Sequence, residues 1–325
     1  MDMLAKIMPK PYHWLLPWIV CNSLLHVLVV NAEPILPLSL PANADAQEIQ
    51  LGKQLFHSTE LSGNGTISCA SCHNVSAGGD DGMPKSVGID QQLGKVNAPT
   101  VINSRFNFVQ FWDGRAKTLE EQVEGPIHNP LEMATNWPDI VDKLNQDQAL
   151  RAKFHTVYGE GISQATIVAA IVAYERQLVS LDAPFDRYLE GDQRAISPTA
   201  AEGYQLFKNL GCVSCHQGQN VGGNMYQRFG IMGNYFEDRG NTTEFDYGVY
   251  NVSGREEDRY KFKVPSLRNI QHTAPYLHDG SIATIDEAVR IMARYQLGRP
   301  ISDLQVSKIK AFLLTLSGEI KDDLQ

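Results

Sequence analysis

Cys69-Ala70-Ser71-Cys72-His73 and Cys212-Val213-Ser214-Cys215-His216 each set two thiols at a fixed spacing with a histidine directly behind them. Two thiols so spaced can add across the vinyl groups of one haem, and the adjoining imidazole can reach its iron. Each motif therefore reads as a c-type attachment site, and the pair as two covalently bound haem c groups. A zinc site would need four closed ligands, whereas each cysteine pair comes with one adjacent histidine. Cys69, Cys72, Cys212 and Cys215 become the attachment residues, and His73 and His216 the iron ligands. The fifth cysteine, Cys21, lies in the N-terminal segment.

The elements that hold these motifs are also repeated. Leu51-Gly52-Lys53-Gln54-Leu55-Phe56 leads into the first and Glu202-Gly203-Tyr204-Gln205-Leu206-Phe207 into the second, a shared G-x-Q-L-F signature. Both read as helical entries: Asp45 with Glu48 forms a capping box, and Ser197 before Pro198 gives an N-cap followed by proline at the first helical position. A closing helix follows each motif. Ile167, Ile171, Tyr174 and Leu178 share one face of the first. Ile309, Phe312, Leu313 and Leu316 share one face of the second, with Ser302 and Gln305 at its start and Gly318 at its end. Few strand patterns occur, and segments 57–66, 76–98 and 217–258 read as long loops packed on haem. The fold expected is mainly α: two cytochrome c-like helical domains, each carrying one covalently bound haem, with long loops. The polar stretch 182–197 marks the boundary and divides 33–182 from 183–325.

The chain has 325 residues, enough for two domains with a core each. Its formal charge of −9 becomes −10 without residues 1–32, which carry Asp2, Lys6 and Lys10. That sign argues against nucleic acid as a partner. Lys6 and Lys10 precede an apolar run from Trp14 to Val30, broken by Pro17, Asn22, Ser23 and His26. Val30-Asn31-Ala32 offers small residues where a signal peptidase reads, so 1–32 is expected to be a signal peptide cleaved before Glu33. The rival reading is an uncleaved anchor, since the run approaches bilayer-spanning length. The mature protein is expected in the periplasm, the side of the membrane on which c-type haem is attached.

Two such domains in one exported chain resemble the bacterial dihaem cytochrome c peroxidases and the related MauG-like enzymes. Besides the haem motifs, the resemblance rests on Asn97-Ala98-Pro99-Thr100, Phe111-Trp112-Asp113-Gly114-Arg115-Ala116, Leu119-Glu120-Glu121-Gln122, Gly125-Pro126-Ile127 and Asn129-Pro130-Leu131-Glu132-Met133. In the second half it rests on Lys263-Val264-Pro265-Ser266-Leu267-Arg268-Asn269 and Thr273-Ala274-Pro275-Tyr276-Leu277-His278-Asp279-Gly280. It covers nearly all of the mature chain and implies a peroxidatic haem in the N-terminal domain and an electron-transfer haem in the C-terminal one.

By the same resemblance Glu132 is the distal acid–base group, Gln122 the distal amide that orients peroxide, and Trp112 the bridge between the haems. Met292 is the sixth ligand of the second haem, raising its potential, with Met225 and Met232 as rivals. Asn97, Thr273 and Pro275 hold calcium through one amide oxygen and two backbone carbonyls, a hard-oxygen set. His278 is placed near a haem. Read without the resemblance, Glu132 is a surface carboxylate, Trp112 and Met292 are core residues, and the calcium residues are turn residues.

One position departs from the pattern. Many members carry a histidine in a Ser-x-Gly-His loop that ligates the first iron until the second haem is reduced, whereas this chain reads Ser86-Val87-Gly88-Ile89. Met83, Lys85, Lys95 and His128 are the conceivable substitutes, and none aligns. The resemblance thus implies reduction of hydrogen peroxide to water with electrons from a small cytochrome c or cupredoxin, without reductive activation, by a protein that forms a homodimer. The alternatives are a MauG-like oxidase acting on residues of a partner protein and a non-catalytic dihaem electron-transfer cytochrome.

Overall fold

The computed structural model describes residues 33–39, 44–320 and 324. The export segment, Cys21 and the Val30-Asn31-Ala32 processing site lie outside the described residues. The elements in chain order are α1 (Ala46–Phe56), α2 (Cys69–Cys72), α3 (Leu119–His128), α4 (Trp137–Leu144), α5 (Gln148–Tyr158), α6 (Gln164–Glu175), α7 (Pro184–Leu189), α8 (Pro198–Leu210), α9 (Tyr235–Arg239), α10 (Tyr250–Ser253), α11 (Ile285–Tyr295) and α12 (Asp303–Leu314). The short strands β1 (Tyr226–Arg228) and β2 (Lys261–Lys263) pair antiparallel. The architecture is mainly helical with little sheet. Among the described residues no helix is long and apolar enough to cross a membrane.

Two helix pairs organise this part of the chain, α1 against α6 and α8 against α12. The repeated glycine of G-x-Q-L-F explains how closely they approach. A Cβ on Gly52 would lie 1.9 Å from the Ala170 carbonyl oxygen, and one on Gly203 would lie 1.9 Å from that of Lys308. Only glycine permits either contact, because any side chain would drive the helices apart. Aromatic rings then seal each crossing, Phe56 against Tyr174 and Phe207 against Phe312, with centroids 5.2 and 5.1 Å apart. The caps agree with the sequence except at Asp45, whose carboxylate accepts from Gln47 N, while Glu48 instead accepts from the Tyr158 hydroxyl.

One apolar core gathers Leu51, Phe56, Ile127, Phe154, Ile171 and Tyr174, and a second gathers Phe185, Tyr204, Phe207, Ile309, Phe312 and Leu316. The chain ends cross over. Ile35 packs in the second core, while Ile320 and Leu324 pack in the first, so a division at 182/183 leaves each of them on the wrong side. The N-terminal strand is tied by fully buried Arg268, which donates to Leu36 O at 3.0 Å and to both Asp186 carboxylate oxygens at 2.9 and 2.8 Å. A buried guanidinium is tolerated only with such a bidentate partner. At the other end, the Tyr174 hydroxyl donates to Leu324 O at 2.6 Å.

A second repeat shows itself in the backbone. Residues 99–123 correspond to 265–289 at a constant separation, sharing Pro99/Pro265, Asn103/Asn269, Asp113/Asp279, Gly114/Gly280 and Thr118/Thr284. Asn103 and Asn269 are both left-handed, at φ 63° and 57°, and both side-chain oxygens accept from a backbone N–H beyond the closing helix, of Ser180 and Gly318 respectively. Phe111 and Leu277 share φ near 70°, and Thr118 and Thr284 cap α3 and α11 in the same way. The two halves are therefore one scaffold used twice.

Candidate active site

Each haem motif enters directly after a loop or helix end that leaves its histidine half-buried. His73 Nδ1 lies 3.2 Å from Gly79 O, and His216 Nδ1 lies 3.4 Å from Val221 O. A proton held on Nδ1 leaves the Nε2 lone pair free for iron. Burial lowers the pKa of His73 and pushes that of His216 down to about 4, so both rings are neutral at pH 7, as a metal ligand must be. Burial acts oppositely on the thiols, pushing Cys69 up to about 12 and Cys72 and Cys212 to about 11.

Around the second motif lies an apolar cavity lined by Cys212, Cys215, His216, Met292 and Trp112, with Phe207, Leu267, Val289 and Leu313 as walls. Its apolar lining suits a haem, and Met292 on α11 lines it together with His216. Met225 and Met232 are not among its lining, and Met232 is 60% exposed. Lys263 also lines the cavity, buried, its ammonium pushed down to about 8 by the loss of water. Trp112 is held by its indole N–H, which donates to Asn97 O at 2.9 Å, and its ring meets His278 edge-on at 6.4 Å. His278 is itself fixed by Asp246, 2.7 Å from Nε2, and Arg239 bridges Asp246 and Asp279.

The first motif has a different set of neighbours. The negative charge of Glu132 is felt at Cys72. Ile89 N donates to Glu132 O at 2.8 Å, and a Cβ on Gly88 would lie 2.0 Å from Leu131 O. The loop that carries residue 89 is thus laid directly on the Glu132 segment. Burial raises the Glu132 pKa, opposed by the Asn129 amide donating at 2.6 Å and by Arg115. Gln122 sits half-buried on α3, one to two turns after Thr118, with no recorded contact to Glu132 among the described residues.

Ile89 is buried at 5% exposure. Of the conceivable substitutes, Met83, Lys85, Lys95 and His128 are all exposed, and both His128 nitrogens lie near other groups, Thr135 O and Glu124 Oε2. The sequence reading missed Glu175 on α6. It is buried, with one carboxylate oxygen lacking a partner, and burial together with Glu120 pushes it up to about 8. Its charge reaches Cys69. The available signal was a lone acid on an otherwise apolar helix.

Asn97, Thr273 and Pro275 all line the second cavity. The Asn97 amide nitrogen donates to Met83 O at 2.9 Å, which turns its oxygen away from that carbonyl. Neither the Thr273 nor the Pro275 carbonyl accepts a hydrogen bond among the described residues. Three unengaged oxygens of this kind fit a hard cation. Asp80 lies on the same wall, and burial with Asp81 beside it pushes its carboxyl up to about 7.

Residues 46–194 match the family described as di-haem cytochrome c peroxidase. The chain is 44% identical over 287 residues to the cytochrome c peroxidase Ccp of Escherichia coli K12, covering 88% of this chain and 61% of that protein. It is 47% identical over 300 residues to a cytochrome c551 peroxidase of Nitrosomonas europaea, covering 91% and 87% respectively. Among solved structures, a MauG-like protein associated with microbial copper homeostasis superposes with a TM-score of 0.78 at 27% identity, covering 97% of this chain and 98% of that one. The chain belongs to the dihaem cytochrome c peroxidase family and is an oxidoreductase of the peroxidase class.

Proposed function

We propose that the protein reduces hydrogen peroxide to water in the periplasm, with electrons from a small cytochrome c or cupredoxin, through two covalently attached haem c groups. The observation that carries this reading is Glu132, a half-buried carboxyl with a raised pKa set against both the first haem motif and the Ile89 loop. His73 and His216 would hold the irons and the four cysteines the macrocycles, Met292 would be a further ligand of the second iron, and Lys263 would meet the negative charge of a propionate. Bound haem would supply the redox chemistry and the electron storage that a two-electron reduction consumes.

The remaining chemistry falls to side chains. Breaking the peroxide bond needs a proton moved from the inner to the outer oxygen, and Glu132 accepts it and returns it. A carboxyl poised above its ordinary range serves both halves of that transfer. Asn129 fixes its rotamer, and Gln122 orients peroxide by its amide. Trp112, held by Asn97, lies on the electron path between the sites. Ile89 excludes water beside Glu132 and has no lone pair with which to occupy the reaction position, so peroxide binds without a prior reduction step.

A MauG-like oxidation of a partner protein is favoured by Ile89 and opposed by Met292, since a thioether ligand makes the second site an electron store. Steady-state peroxide turnover with a reduced small cytochrome separates the two. Rapid oxidation of the cytochrome supports the peroxidase, and no turnover above the uncatalysed rate overturns it.

A further inference from the structure

We propose that Asp80 is a carboxylate ligand of the calcium ion held by Asn97, Thr273 and Pro275, an inference that rests on the calcium reading of that site. Asp80 is 2% exposed, and its Oδ1 has no hydrogen-bond partner. Buried carboxylate oxygens are almost always engaged, so an orphan on a cavity wall points to a ligand that carries positive charge or donates hydrogen bonds.

The backbone on either side fixes where that oxygen can reach. Two residues before Asp80, a Cβ on Gly78 would lie 2.6 Å from His272 O; two residues after it, one on Gly82 would lie 3.9 Å from Ala274 O. Segment 78–82 therefore runs alongside 272–274, with Asp80 at its middle. Asp80, Asn97, Thr273 and Pro275 all line the same cavity, and the charge of Asp80 is felt at Tyr276.

Charge argues the same way. An amide oxygen and two carbonyls leave a divalent cation uncompensated in a buried place, and calcium sites gain affinity with the number of anionic ligands. Asp81, the adjacent carboxylate, is otherwise engaged, since its Oδ1 accepts from Met83 N at 3.0 Å.

The test is calorimetric titration of calcium into the chelator-stripped holoprotein. Asp80→Asn should weaken binding by roughly 10- to 100-fold, and Asp81→Asn, which removes the same charge from the neighbouring position, should leave it within about twofold. Equal weakening by both variants would reduce Asp80 to a distant charge and overturn the inference, as would unchanged affinity in Asp80→Asn. Wild-type protein that binds no calcium would instead overturn the calcium site itself. Should Asp80→Asn fail to fold, the infrared difference spectrum of the wild type on calcium addition decides. A shifted carboxylate stretch is expected, and its absence contradicts ligation.

Discussion

The first and second haem sites are built on the same frame and differ on the side opposite the proximal histidine. Both entry helices depend on one glycine at a helix crossing, both imidazoles are fixed by a carbonyl, and both following segments pass through the same left-handed asparagine and the same capped helix. At the register that relates α3 to α11, Pro126 stands where α11 carries Met292, and Gln122 where it carries Ala288. Proline offers no lone pair to iron, so on the proposed reading the same helix that closes the second site leaves the first open. Past α3 the first site adds Glu132, and on its closing helix it places Glu175 where the second has Leu313. In the proposed function, a few differences on otherwise matching frames would divide proton chemistry from electron storage.

Removing the acid should have the largest effect. Glu132→Gln keeps size and hydrogen bonding but loses the titrating proton, and peroxide turnover should fall by roughly 10²- to 10⁴-fold with haem content unchanged. Near-normal turnover would erase the functional contrast between the sites. Met292→Ala should remove the low-spin signature of the second haem and lower its potential, slowing electron delivery while leaving peroxide binding at the first. An unchanged spectrum and potential would transfer the ligand role to Met225 or Met232.

The shared frame can be strained on one side only. Gly203→Ala forces a methyl into the Lys308 carbonyl and should cost about 1–3 kcal/mol of stability, seen as earlier thermal unfolding of the second site. Glu175 gives a smaller, pH-dependent effect. Its folded pKa is raised, so the unfolded chain releases the proton first as pH rises, and stability falls from the ordinary carboxyl range up to about 8. Glu175→Gln should remove that slope and stabilise the protein by about 2 kcal/mol at pH 7. A pH-independent difference between wild type and variant would mean that the buried carboxyl is not what titrates.

Much of this comparison was legible in the sequence because it rests on residue identity at short range. The haem motifs, the G-x-Q-L-F repeat and the caps at Ser197, Thr284 and Ser302 need only local spacing. The second repeat escaped notice because it survives in few identities. What it preserves is a backbone conformation, with φ near 70° at Phe111 and Leu277, which unlike side chains share. The crossing of the chain ends was also hidden, since Ile35 and Leu324 join cores more than a hundred residues away in sequence through pairings that no local pattern encodes. Glu175 and Asp80 gain their significance from burial, which residue identity alone does not show.

Ile89 carries the central claim, that the first site stands open in the oxidised protein. Ile89→His would impose a low-spin resting state and a need for reduction, which is the converse of the wild-type behaviour. The direct measurement is rapid mixing of fully oxidised wild-type protein with hydrogen peroxide while the first haem's absorbance is followed. An immediate change at a rate proportional to peroxide concentration is expected, with high-spin or water-ligated character in the electron paramagnetic resonance spectrum beforehand. A wholly low-spin first haem that fails to react until one electron has been added would contradict the account.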